Sequence, residues 1–209
     1  MNKNRMGRYA LALATTAFLV DGCSPGIDEW MPMKVNRTWT YRIHAGFERH
    51  TVPVRVSRQI NVAATDGFEL ASTFGVSRLA WKSNCLVAES TANCRFSPPV
   101  PMLYPRVTFV KGRPKAMPNW HGRIQVMGIE RPASATLIES PAALELGLRK
   151  VQTVHSLLTI TLPEVNDPGY LRPAKMELDS WYQSGVGLVQ QEQRTNDNLV
   201  VQLTIVKHS

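Results

Sequence analysis

A period of two is the feature that most constrains this chain. From Lys175 onward, apolar side chains recur at alternate positions, as in Leu199, Val201, Leu203 and Ile205, where a helix would bring them back every three or four. Successive side chains of a strand point to opposite faces, so this pattern buries one face of a sheet and wets the other. Lys175 to Gln183, Val186 to Arg194 and Leu199 to Val206 read as three strands, separated by Ser184-Gly185 and by the polar run Thr195 to Asn198.

The same alternation starts early. Trp39, Tyr41 and Ile43 share one face of a strand with Thr38, Thr40 and Arg42 on the other, and Val52, Val54, Val56, Ile60 and Val62 follow. Pro53 marks an edge or bulge, because proline cannot donate to the ladder. Asp66-Gly67 offers a turn before Phe68, Leu70 and Phe74, and Val76 to Trp81 reads as a further strand. Trp120 to Glu130, Ala133 to Ser140 and Val151 to Leu162 add three more.

Between these segments the proline-rich stretches Ser97 to Arg106 and Lys111 to Asn119 read as extended loops around a brief strand at Val107, Phe109 and Val110. Pro163 to Pro173 is another loop, and Pro141 to Leu148 is either one helical turn or a crossing connection. The fold class expected is all-β, a curved antiparallel sheet or an open or half β-barrel of about ten strands with little helix.

Ahead of this body stands a basic segment containing Lys3, Arg5 and Arg8, and then an uncharged run from Ala10 to Val20. Eleven residues are too few for a helix that crosses a bilayer, which needs about 20, but they suit the apolar centre of an export signal. The signal closes on Leu19-Val20-Asp21-Gly22-Cys23, which resembles the bacterial lipobox, departing from it only in the charge of Asp21. The resemblance implies a diacylglyceryl thioether on Cys23, cleavage before it and acylation of the new amino terminus. With Ser24 next, it also implies a cell-envelope location, lipid-anchored at the outer membrane and facing the periplasm. Residues 1–22 are then a lipoprotein signal peptide, 23–36 a lipidated tether, and 37–209 a single antiparallel β domain.

The formal charge of +8 falls to about +6 once residues 1–22 are removed. The basic residues are scattered without a run of five and without a nucleic-acid motif, so no nucleic-acid partner is expected. With Cys23 committed to lipid, Cys85 and Cys94 remain as an even pair around the turn-like Ser90-Thr91-Ala92-Asn93, and a disulfide across a β-hairpin is expected. Eight residues between the two thiols, with no second pair, do not suit a metal site.

Two fragments resemble a group of bacterial lipoproteins with no assigned activity. Trp30 to Tyr41, WMPMKVNRTWTY, is similar to their F-P-L-x-x-G-x-x-W-x-Y, and Trp181 to Glu192, WYQSGVGLVQQE, is similar to their W-Y-A-x-G-V-G-L-V-K-x-E. The resemblance implies a curved antiparallel β domain, similar to the half-barrels of lipoprotein-carrier proteins. Trp39, Tyr41, Trp120 and Trp181 are the aromatics that either pack the core or line a ligand groove, with core packing preferred.

Motifs for chemistry are missing. The five histidines form no H-E-x-x-H pair, and neither a G-x-S-x-G elbow nor a phosphate loop is present. His44 and His50 flank a turn and could meet across it, but two imidazoles without a carboxylate partner make a poor site; Glu177 and Asp179 share a strand face, and His121 in Trp120-His121-Gly122 lacks a nucleophile. We therefore expect no enzymatic activity, no cofactor and no metal. The leading expectation is a membrane-anchored module that binds an apolar or amphiphilic, lipid-like ligand on a curved sheet. The alternative is an envelope-assembly or protein-interaction module that recruits a partner by edge-strand pairing.

Overall fold

The computed structural model describes residues 26–92, 94–105, 115–117, 119–163, 175–196 and 198–209. The leader, Cys23 and the expected strand at Val107, Phe109 and Val110 lie outside the described residues. Thirteen strands appear among those described: β1 Thr38–Ala45, β2 Glu48–Val62, β3 Thr65–Ser72, β4 Gly75–Lys82, β5 Cys85–Thr91, β6 Cys94–Leu103, β7 Lys115–Ala116, β8 Trp120–Val126, β9 Ile129–Leu146, β10 Arg149–Thr161, β11 Lys175–Gln183, β12 Gly187–Thr195 and β13 Asn198–His208. Ile27–Trp30 forms a single 3-10 turn ahead of them.

Neighbours along the chain pair antiparallel, with β6 passing over the two-residue β7 to pair with β8. The last strand returns to the first, in a register that runs from Trp39 opposite His208 to Ala45 opposite Val201. Twelve strands thus close into an antiparallel barrel, and β7 adds a short rung beside β9 at Ala116 and Ile138. The curved or half-open sheet expected from sequence is corrected to a closed barrel, because closure depends on one pairing between the two ends of the chain.

Two local expectations change as well. Pro141 to Leu148 continues β9, where Pro141 lies opposite Val154 and Leu146 opposite Arg149, so the long ladder with β10 overrides helix propensity. Ser97 to Leu103 is strand rather than loop. Beyond Ser97 the ladder between β6 and β8 ends, so Pro98, Pro99 and Pro101 lie along a side of β6 with no ladder to feed. Pro53 falls where β2 overhangs β3, whose pairing starts at Arg55, and the bulge in β2 lies further on, between Val56 and Arg58.

The core occupies the barrel interior, where Trp39, Tyr41, Val56, Leu86, Phe96, Ile124, Leu137, Leu158 and Ile160 are buried. The outer wall carries charge instead, in ion pairs such as Arg58 with Glu69 at 2.9 Å and Arg123 with Glu130 at 2.8 Å. A barrel that spans a membrane reverses this order, with an apolar band outside.

Turns gather at two ends. At one lie the β1–β2, β3–β4, β5–β6, β8–β9 and β12–β13 turns. The other end is closed by the chain itself. Glu29 accepts the Gly185 N–H on its carbonyl at 2.8 Å, Met31 is buried, and Trp81 Nε1 donates to the Met31 carbonyl at 3.3 Å. Within the segment leading into β1, Glu29 and Met31 therefore pack at the floor of the barrel.

Candidate ligand-binding cavity

Alternation along the strands gives the interior wall its chemistry. On β1, Tyr41, Ile43 and Ala45 point inward, opposite Ile205, Leu203 and Val201 of β13 and Val52 and Val54 in β2's half of the wall. Leu70 and Leu79 extend this surface, as do Leu178 and Leu188. They enclose a cavity of about 260 Å³ that runs from Ser72, Phe74 and Ala92 at the turn-rich end down to Met31, Met102 and Tyr182.

The polar atoms along this wall are few and uncharged. Ser72, Ser77, Thr91, Gln191 and Gln193 contribute hydroxyls and amides, and among the described residues no charged side chain lines the cavity. Gln191 Nε2 donates to Ser180 Oγ at 2.9 Å, and the Tyr41 hydroxyl donates to the Leu188 carbonyl at 2.9 Å. Burial raises the Tyr41 and Tyr182 phenols, so both stay neutral. Such a wall accepts an alkyl chain and offers nothing to a buried charge.

The four aromatics singled out from sequence separate. Tyr41 lines the cavity. Trp39 is fully buried below it and donates from Nε1 to the Val186 carbonyl at 2.6 Å. Trp120 is buried edge-on to Phe96, over Gly122, where any Cβ would meet its ring. Trp181 lies on the outer face, stacked on His155 at 4.8 Å. His121 is exposed on the outer wall, and His44 and His50 take adjacent registers on the β1–β2 hairpin without facing each other.

The expected disulfide is absent, and both Cys85 and Cys94 are free and buried. The hairpin forms, but its turn is so tight that Cys94 pairs with Thr91, whereas Cys85 starts β5 at the other end of the ladder. Six strand residues separate these levels, roughly 20 Å at the rise of a strand, far beyond the reach of an S–S bond. Cys94 faces the cavity, and Cys85 packs with Val62, Ala80 and Val87 on the opposite face of the sheet.

Sequence reading missed two polar arrangements. Glu139 points into the barrel away from the cavity, where Oε1 accepts the Tyr104 N–H at 2.5 Å and Oε2 is buried without a partner. Desolvation raises this carboxyl to about 7. On the outer wall, Ser140 Oγ stands 3.5 Å from His155 Nδ1, and His155 Nε2 meets Asp179 Oδ1 at 2.8 Å. The order is that of a nucleophilic triad. Arg194, however, takes the other Asp179 oxygen at 2.6 Å and also pairs with Glu192, so the carboxylate is already neutralised. We read the row as an ion-pair ladder across β9 to β12. Among the described residues no three His, Cys, Asp or Glu side chains gather as a metal site.

The barrel resembles solved structures. A lipoprotein assignment from Parabacteroides distasonis superposes at a TM-score of 0.54 with 11% identity, over 86% of this chain and 98% of its own. An exported protein of Bacteroides fragilis, described as having a YmcC-like fold, superposes at 0.50 with 11% identity, over 84% and 96%. This chain shares their fold. The lipoprotein YmcC of Escherichia coli aligns at 0.42 with 12% identity, over 83% of this chain and 88% of its own. No protein-family profile and no curated protein matches the sequence.

Proposed function

We propose that this chain is a lipid-anchored envelope protein whose barrel holds the apolar part of an amphiphile. The observation that carries this reading is the cavity of about 260 Å³, lined mainly by apolar side chains with a few uncharged polar groups among the described residues. A closed barrel of this kind can hold one small ligand in its interior. The leader ending at Cys23 supports the anchor, and the two solved structures that share the fold are described as a lipoprotein and an exported protein.

Dansyl-undecanoic acid titrated into the purified mature chain tests the pocket. Saturable binding with a blue-shifted emission is expected, and Ala45→Trp, which places an indole at the mouth, should abolish it while leaving the thermal transition unchanged. Equal binding by the wild type and this variant would remove the cavity from the reading.

The alternative, an assembly module that recruits partners by edge-strand pairing, loses ground to the closure. Closure removes most free edges; among the described residues the side of β6 past Ser97 and the side of β9 past Glu139 run without a ladder partner.

A further inference from the structure

The turns around the cavity mouth end in apolar side chains. Phe47 at the β1–β2 turn and Met127 at the β8–β9 turn are 108% and 96% exposed. Phe74 at the β3–β4 turn, Ile129 at the start of β9, and Leu199 and Val200 at the start of β13 are exposed as well. Folding leaves these tips in water although the core lies one turn away. They belong to four different hairpins and ring the opening of the cavity, to which Phe74 also contributes.

The chain enters the barrel at the other end. Gly26 lies at the floor, and only Ser24 and Pro25 separate it from Cys23, a reach of at most roughly 10 Å. The eight residues of β1 alone span roughly 25 Å. A lipid on Cys23 therefore holds the floor against its own membrane and turns the mouth away from it.

We propose that the apolar rim docks the mouth on a second lipid surface, an anionic phospholipid bilayer facing the one that holds the anchor. The proposal rests on the anchor and on the ligand cavity advanced above. Separate apolar tips on a ring of turns each enter a lipid interface by themselves, and an apolar cavity opening among them gives an acyl chain a path that never crosses water. Arg49 beside Phe47, Arg95 beside the β5–β6 turn and the charge of about +6 left once residues 1–22 are removed favour an anionic surface.

Vesicle bridging tests the arrangement. The mature lipidated protein is reconstituted into donor vesicles of neutral phosphatidylcholine, and labelled acceptor vesicles containing phosphatidylglycerol are added. The donors are expected to capture the acceptors. Phe47→Ser combined with Met127→Ser should lower capture at least about tenfold, since each tip removes a buried apolar side chain from the lipid interface. Leu148→Ser, an equally exposed apolar change at the floor end, should leave capture unchanged.

Protein that does not float with the donors refutes the anchor, and with it the two-surface arrangement. Protein that floats but captures no acceptors, or captures them equally after the rim substitutions, refutes the docking alone. Self-association of the protein through the rim without acceptor capture makes a second copy the occupant and likewise overturns the proposal. Dansyl-undecanoic acid binding by the rim variant stays intact if only docking is lost, which separates this inference from the cavity itself.

Discussion

Trp39 Nε1 and the carbonyl of Val186 meet at 2.6 Å across 147 residues of chain. Around that bond the two fragments quoted from sequence come together: Arg37 donates to the Gly185 carbonyl at 2.8 Å, and the Tyr41 hydroxyl reaches the Leu188 carbonyl at 2.9 Å. Trp39→Phe removes the donor and leaves a part-buried carbonyl unpaired, so a loss of about 2 to 4 kcal/mol is expected from the lost bond and the lost indole volume. Tyr41→Phe removes a hydroxyl alone and should cost about 1 kcal/mol. Urea unfolding curves would rank the two; equal midpoints would show that the indole bond adds little.

Gly187 has φ +106°, and a Cβ there would stand 3.1 Å from Met31 Sδ and 3.3 Å from Trp39 Nε1. Gly185, two residues earlier, has φ +76° with open space around it. Gly185→Ala therefore pays only for the left-handed backbone, about 1 kcal/mol, while Gly187→Ala adds the displacement of the floor and should cost more, about 2 to 3 kcal/mol. A melting temperature for Gly187→Ala no lower than that of Gly185→Ala would show that the floor yields freely.

Glu139 makes stability depend on pH. Its carboxyl is raised from 4.5 to about 7 in the folded protein, so the folded state favours the protonated form. That contribution is complete below pH 4.5 and disappears as pH rises through 7, reaching up to about 3 kcal/mol from this group. Glu139→Gln should accordingly stabilise the barrel at pH 8 and have little effect at pH 4.5. Unfolding curves for the two proteins at both pH values check the sign, and a variant less stable at pH 8 would contradict it.

Neither cysteine of the body should react readily. Burial pushes the Cys85 thiol up to about 12 and raises Cys94 as well, so neither supplies thiolate at neutral pH. Iodoacetamide applied to the unreduced native protein should label neither, and after unfolding without a reductant it should label both. Intact mass reads the outcome directly, and an unfolded, unreduced protein that takes up no label at these positions would restore the disulfide.

Much of the wall was legible from local pattern. Trp39, Tyr41 and Ile43 face inward as their alternation requires, and Val201 and Leu203 line the cavity as the last strand's period indicates. Closure was not legible, because the pairing of β1 with β13 depends on strand number and tilt and not on any neighbouring residue. The same limit hid the cavity, since alternation marks an inward residue without saying whether another side chain fills the space before it. Trp181 and Tyr182 illustrate it at one step of sequence: equally aromatic, they point to opposite sides of the wall. The cysteines failed for a register reason, as a turn two residues tight places Cys94 against Thr91 and carries Cys85 out of reach.

Closure by the first and last strands also sets the order in which the molecule can be made. Ser209 exchanges hydrogen bonds with Thr38, so the seam closes only once the residues through the end of β13 are in place. Until then β1 has a partner on one side alone, and the growing sheet stays open with its apolar face in contact with solvent. Contacts so distant in sequence form slowly. A chain that leaves the ribosome or a secretion channel amino end first cannot close this barrel before β13 has emerged, and it remains threadable until then.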